Sequence, residues 1–200
     1  LGALIKVNRR SPYVGIAPPS GAIVLFDGQN TAALRDAQVK EGLLQVGTEL
    51  IPTFRNFQLH VEFLTPFMPL ERGQGRGNSG VYLQSRYEVQ VLDSFGLDGL
   101  FNECGSLYRQ RSPDVNMAFP PLRWQTYDIT FHAPRFDACG RKCRNARLTL
   151  LHNGVVVHDN VAIQAKTGAG KPEGPRPLPI KFQDHSDPVQ FRNIWLLELP

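Results

Sequence analysis

Two short stretches of this 200-residue chain concentrate side chains that can bind a ligand or move a proton. In Tyr87-Glu88-Val89-Gln90-Val91-Leu92-Asp93, strand alternation puts Glu88 and Gln90 on one face and Val89 and Val91 on the other. Asp93 falls on the wrong parity. A single β-bulge between Gln90 and Asp93 would re-aim it, and bulges are common beside active sites. The resulting E-x-Q-x-x-D row offers two carboxylates and an amide, a set that can hold a sugar, a metal ion or a proton. In Ile180-Lys181-Phe182-Gln183-Asp184-His185, alternation gathers Lys181, Gln183 and His185. Asp184, Ser186 and Asp187 surround the histidine in a turn where a carboxylate would orient the imidazole. A solvated sheet face explains either row alone, and two such rows weaken that explanation. Arg192, in Phe191-Arg192-Asn193-Ile194-Trp195, is expected to form a salt bridge with Glu88 or Asp93 and so fix the site rather than react.

Strands must carry these rows. Gly 18 and Pro 16 break the chain often and leave little room for long helices, which favours an all-β, loop-rich architecture. Segments 57–64, 80–84, 87–92, 125–132, 147–152, 155–158 and 189–199 are rich in β-branched or aromatic residues and bounded by turn formers. Their spacing fits a sandwich. Asn153-Gly154 between two apolar runs predicts a two-residue hairpin, because both central positions of a type I′ turn need positive φ. Residues 31–37 are the best candidate for a helical turn or two. Residues 1–20, with Pro12, Pro18 and Pro19, read as an arm, and residues 21–200 as one domain. Gln58, His60 and Glu62 alternate with Leu59, Val61 and Phe63, so that strand too has a polar face. Loops 66–77 and 167–179, dense in Gly and Pro, are expected to rim a cleft.

Composition excludes several classes. Hydrophobic content of 42% and charged content of 20% are those of a globular domain rather than a disordered chain. The net charge of +4 is too small for a nucleic-acid stripe, and Arg141, Lys142, Arg144 and Arg147 read as a solvated hairpin tip. No apolar run is long enough for a spanning helix, so no membrane insertion is expected. Cys104, Cys139 and Cys143 match no zinc spacing; a short Cys139–Cys143 disulfide is expected in an oxidising compartment, with Cys104 unpaired.

In chain order, LFDG (25–28), NSGVYLQ (78–84), YEVQVLDS (87–94), GSLY (105–108), WQTYDI (124–129), LHNG (151–154) and FQDHSDPVQFRNIW (182–195) resemble the 3-keto-disaccharide hydrolase family over roughly residues 21–200. The resemblance implies a concanavalin A-like jelly-roll β-sandwich with a concave sheet face for carbohydrate. It also implies an exported bacterial protein, and a chain beginning Leu1-Gly2-Ala3 is compatible with a removed signal peptide. The family's usual Gly after the histidine is Ser186 here, which touches the rim of the site.

The implied chemistry acts on 3-keto sugars. Oxidation at C3 acidifies C2–H, a base removes that proton, and the glycosidic oxygen leaves C1; water then adds to the 2-hydroxy-glucal. On this sequence the resemblance assigns proton transfer to Glu88 and His185. A divalent metal held by Glu88, Asp93 and His185 would polarise the ketone. Asn78, Tyr82, Gln90, Lys181 and Gln183 are candidates for hydroxyl contacts, with Tyr108 or Trp124 as stacking surface and Arg192 in support. Two alternatives stand beside this reading. One is a non-catalytic carbohydrate-binding module. The other is a laminarinase-like glycosidase, whose E-x-D-x-x-E strand is altered here at Gln90 and Asp93.

Overall fold

The computed structural model describes residues 7–200, so residues 1–6 of the expected arm lie outside the described part. Its strands are β1 (Ile23–Phe26), β2 (Leu34–Arg35), β3 (Val39–Lys40), β4 (Leu43–Gln45), β5 (Thr48–Leu50), β6 (Asn56–Leu64), β7 (Ser79–Leu83) and β8 (Tyr87–Val91). After a long loop come β9 (Trp124–His132), β10 (Arg135–Phe136), β11 (Lys142–Arg144), β12 (Ala146–His152), β13 (Val155–Ile163), β14 (Lys181–Phe182) and β15 (Gln190–Leu199). An eight-stranded sheet in the order β13-β12-β9-β6-β15-β4-β3, with β1 on β15, faces a five-stranded sheet in the order β2-β5-β14-β7-β8. This is the all-β sandwich that the strand spacing predicts, of the jelly-roll type that the family resemblance implies.

The apolar sides of both sheets fill the interior with Phe57, Phe63, Tyr127 and Phe131 from one sheet and Val81, Val89 and Phe182 from the other, all fully buried. Asn153 (φ 53°) and Gly154 (φ 82°) form the expected hairpin turn between β12 and β13. The expected helical turns at 31–37 do not form. One Leu34 N–H to Thr31 carbonyl bond closes a single turn, after which Leu34 pairs with Leu50 in the sheet. Burying Leu34 beside β5 outweighs a weak local helix preference.

On the polar side of β6, His60 and Glu62 are buried while Gln58 is exposed. Residues 11–16 cross this side as a strap: the Ser11 hydroxyl meets Thr126 at 2.8 Å, Gly15 N–H donates to Glu62 at 2.5 Å, and Asn193 Nδ2 donates to the Ile16 carbonyl at 3.0 Å. Beneath it His60 stacks on Trp195 at 4.9 Å and contacts Asp128 at 2.6 Å. Arg192 Nε donates to Glu62 at 2.7 Å and lies 3.8 Å over the Trp124 ring. The expected Arg192 bridge to Glu88 or Asp93 is therefore absent. A register shift between Arg192 and Trp195, with Asn193 at φ 45°, turns both Arg192 and Asn193 toward Glu62. Burial pushes the Glu62 carboxyl up, but His60, Asn193, Gly15 and Arg192 outweigh it and bring it down to about 2. Burial also pushes His60 down, while Asp128 and Glu62 hold it above its ordinary value.

A depressed carboxyl contributes stability that is present above the ordinary carboxylate range and lost as pH falls through its folded pKa. Glu62→Gln is expected to cost about 3 kcal/mol in urea unfolding at neutral pH. It should also flatten the acid limb that the parent protein shows between pH 4.5 and about 2. An unchanged acid limb would remove Glu62 as the strap's anchor.

All three cysteines are free: Cys104 is buried, and Cys139 and Cys143 are exposed. The expected Cys139–Cys143 bridge is not formed, because the Asp137 carboxylate already closes that turn. It accepts the Cys139 and Arg141 N–H groups, each at 2.9 Å, and the Arg141 side chain at 2.9 Å.

Candidate functional site

The outward side of the five-stranded sheet carries the candidate site. Antiparallel register sets Lys181, Tyr82 and Glu88 in one cross-strand row, and Gly80 directly opposite Gln90 in the next. Opposed residues share a face, so these side chains lie together on the side away from the core. Gln183, whose N–H donates to the Gly80 carbonyl at 2.9 Å, extends the second row. The segment Gly105–Tyr108 runs along the free edge of β8, with Gln90 N–H donating to Ser106 and Tyr108 N–H to Glu88, both at 3.0 Å.

These elements enclose a cavity of about 200 Å³ lined by Gln74, Asn78, Tyr82, Glu88, Gln90, Tyr108, Ala169, Gln183 and His185. That is below the roughly 300–1,000 Å³ of drug-sized ligand sites and suits one sugar ring. Glu88 is its one carboxylate. The Tyr82 hydroxyl donates to Glu88 Oε2 at 2.7 Å and accepts from Gln183 Nε2 at 3.4 Å. Burial pushes the Glu88 carboxyl up to about 7, against the opposing pull of the Tyr82 bond and the Lys181 charge.

Two acceptors in the cavity wall, Gln90 Oε1 and Gln183 Oε1, are buried with no hydrogen-bond partner. The Gln90 amide nitrogen is already used, donating to Gln74 Oε1 at 3.0 Å and to Asn78 Oδ1 at 3.3 Å. Buried acceptors left open in this way call for donors from a ligand, and sugar hydroxyls supply them.

Gly80 makes room for the carboxylate. A Cβ at this position would lie 2.4 Å from Glu88 Oε1 and 2.9 Å from its Cγ. Gly80→Ala must push the Glu88 side chain aside, and displacing a catalytic group by about 1 Å costs on the order of 100-fold in rate. The expected result is that loss in kcat with the fold retained by circular dichroism; full turnover would show that Glu88 need not sit where it does.

Of the residues singled out from the sequence, Asn78, Tyr82, Glu88, Gln90, Tyr108, Gln183 and His185 meet around this cavity, and Lys181 borders it through its row. Three do not. β8 pairs with β7 without a bulge, so Asp93 is not re-aimed; its carboxylate faces Arg76 at 3.3 Å and its carbonyl accepts from the same guanidinium. Trp124 and Arg192 lie on the other sheet. The ligand set Glu88, Asp93 and His185 is therefore not assembled, and no group of three His, Cys, Asp or Glu side chains comes together among the described residues.

The carboxylates beside His185 also have other tasks. Asp184 accepts the Ser186 N–H at 2.8 Å, and Asp187 accepts the Asn78 N–H at 2.7 Å, so neither orients the imidazole. Ser186 has φ 68°, a left-handed conformation that explains a glycine preference there. Gln74 and Ala169 were not legible as individual site residues. Their loops, 66–77 and 167–179, carried the only signal.

A model of the 3-keto-alpha-glucoside-1,2-lyase-like domain matches residues 21–197. No curated protein matches the chain. A crystal structure of a candidate glycosyl hydrolase from Parabacteroides distasonis is 35% identical, with a TM-score of 0.82 over 90% of this chain and 85% of that one. A second structure so described from the same organism is 18% identical with a TM-score of 0.63, covering 90% of this chain and 94% of the other, and supports the fold alone.

Proposed function

Because the chain belongs to the 3-keto-alpha-glucoside-1,2-lyase-like family, we propose that it is a carbohydrate-active enzyme that cleaves 3-keto-glycosides by elimination. The observation that carries this reading is a one-ring cavity with a single carboxylate of pKa about 7 beside two unpartnered amide acceptors. A conventional glycosidase needs two carboxylates flanking the scissile bond, about 5–5.5 Å apart for retention or 6.5–9.5 Å for inversion. With Asp93 held by Arg76, Glu88 has no second carboxylate in the cavity wall. Elimination from a 3-keto sugar needs only one strong base, because the ketone has already acidified C2–H.

In this mechanism Glu88 takes the C2 proton. The electron pair of the C2–H bond moves into the C3 carbonyl to form an enolate; it then returns to make the C1–C2 double bond as the C1–O bond breaks and the aglycone departs with its electron pair. A base with a pKa near the working pH is both unprotonated often enough and basic enough for this transfer. His185, exposed at the mouth, supplies a proton to the departing oxygen. Charge developing on the ketone oxygen is met by the second N–H of the Asn78 amide, the first being donated to the Gln74 carbonyl, while the Tyr82 hydroxyl donates to Glu88 and holds the base in place. Gln90 and Gln183 accept from ring hydroxyls, and Tyr108 gives the ring a flat surface. Water then adds across the glucal double bond, completing a net hydrolysis.

Purified protein is expected to release aglycone from an aryl 3-keto-glucoside and not from the parent glucoside. Inactivity across a panel of 3-keto-glycosides would defeat the reading and favour a binding module. His185→Ala is expected to lose about 100-fold in kcat on a poor leaving group and far less on an activated aryl one, where the oxygen leaves without help. Equal loss on both would show that His185 is not the acid.

A further inference from the structure

A second recess, of about 820 Å³, opens at the far end of the eight-stranded sheet, where β6 starts and the β10–β11 hairpin folds over β12. Arg55, Arg135, Arg144 and Arg147 line it together with His132, and no Asp or Glu side chain does. Sequence order separates these residues by up to 92 positions; the sheet register brings them to one place.

The register places like charges face to face. Arg135 pairs directly with Arg144 across the hairpin, and Arg147, opposite His132, brings a further guanidinium to the same end of the sheet. Directly opposed like charges destabilise a sheet, and no Asp or Glu side chain among the described residues neutralises these. None of the four arginines forms an ion pair among the described residues. Arg55 donates to the Pro175 carbonyl at 3.2 Å, and Arg147 donates to the side-chain oxygen of Asn160 at 2.5 Å and to its carbonyl. All of these acceptors are neutral, so no side chain among the described residues compensates the charge.

We propose that this recess binds an acidic oligosaccharide, one that carries carboxylate or sulfate groups. Guanidinium forks match the planar carboxylate and the sulfate face with paired hydrogen bonds. Phe136 is the one aromatic residue in the lining, and no exposed aliphatic anchor accompanies it. That leaves a protein partner without an apolar hot spot and a nucleic acid without a row of stacking surfaces. The recess has about four times the volume of the one-ring cavity, room for several sugar units. That the anion is a sugar rests on the carbohydrate-active reading above; that the ligand is anionic rests on the recess alone.

The test is calorimetric titration of the whole chain with a sulfated trisaccharide, a uronate trisaccharide, a neutral trisaccharide, sodium sulfate and a single-stranded DNA decamer. At least one acidic trisaccharide should bind, with the stronger of the two arms telling sulfate from carboxylate, and the neutral sugar should not. R135Q with R144Q should weaken that binding at least tenfold, leave turnover of a small 3-keto-glucoside unchanged, and leave the melting temperature equal or higher because opposed like charges are gone. Equal affinity in the double variant would overturn the proposal, as would binding of free sulfate as tight as that of the sugar, binding of DNA alone, or no binding. Turnover is read separately, so failure of this site and failure of the catalytic reading are distinguishable.

Discussion

Glu88→Gln is expected to abolish turnover, by about 1,000-fold in kcat, while making the folded protein more stable above pH 7. The two effects have one cause. Burial raises the Glu88 carboxyl from its ordinary 4.5 to about 7, which makes it a useful base and an unfavourable buried charge. A carboxyl with a higher pKa folded than unfolded binds its proton more tightly in the native state. Native stability is therefore greatest below the ordinary carboxylate pKa and falls as pH rises through about 7. Glutamine keeps the shape and an acceptor for the Tyr82 hydroxyl but never ionises. The variant should gain about 1–3 kcal/mol over the parent at pH 8 and nearly nothing at pH 4. Chemical denaturation at the two pH values measures this directly. A variant that stays active, or that is less stable at pH 8, would contradict the assignment.

Arg86→Met is expected to lower kcat and move the pH dependence of the reaction, although Arg86 does not line the cavity. The side chain is 4% exposed and holds loop 167–179 to the β7–β8 turn. Its Nε donates to the Pro172 carbonyl at 2.8 Å, and Nη1 donates to the Arg176 carbonyl at 3.0 Å and to Gln84 Oε1 at 3.1 Å. Its own carbonyl accepts the Thr167 N–H at 2.9 Å. Gly170 packs so tightly there that a Cβ would lie 2.1 Å from the same carbonyl. Thr167 in turn accepts the Glu88 N–H at 2.8 Å, and Ala169 closes the cavity wall. Removing the guanidinium frees the Pro172 and Arg176 carbonyls, leaves the buried Gln84 Oε1 without its donor at about 1–3 kcal/mol, and lets the loop lift. Water then reaches Glu88, and the limb of the kcat/KM profile governed by it should move from near pH 7 toward the ordinary carboxylate range. Lost stability with an unmoved limb would make Arg86 a structural residue only.

Much of this arrangement is legible from local pattern. Alternation in β6, β7, β8 and β9 gives the strands, Asn153-Gly154 gives the hairpin, and the parity of Glu88 with Gln90 and of Lys181 with Gln183 gives two polar rows, which the sheet places on either side of β7. What alternation cannot supply is which strand carries a bulge. The expected bulge at Asp93 does not occur, whereas an irregularity in β15 turns Arg192 to Glu62. That choice depends on partners more than 100 residues away. His60 and Glu62 read only as the polar face of a strand, because the strap that buries them is joined only by tertiary contacts. Strands of two or three residues, such as β2 to β5 and β14, are too short to show a period. Arg86 draws no attention in sequence, and Gly80 enters only as the first residue of the expected strand 80–84. Their importance is a matter of distance to Glu88.

The central claim is that C2–H is removed before the glycosidic bond is broken. Proton NMR of a 3-keto-glucoside incubated with the protein in deuterated water follows that step. The expected result is loss of the C2 proton, appearance of the 2-hydroxy-glucal, and deuterium at C2 in the hydrated sugar, all absent with Glu88→Gln. Cleavage that leaves the original C2 proton in place, or release of aglycone from the unoxidised glucoside at a comparable rate, would contradict it.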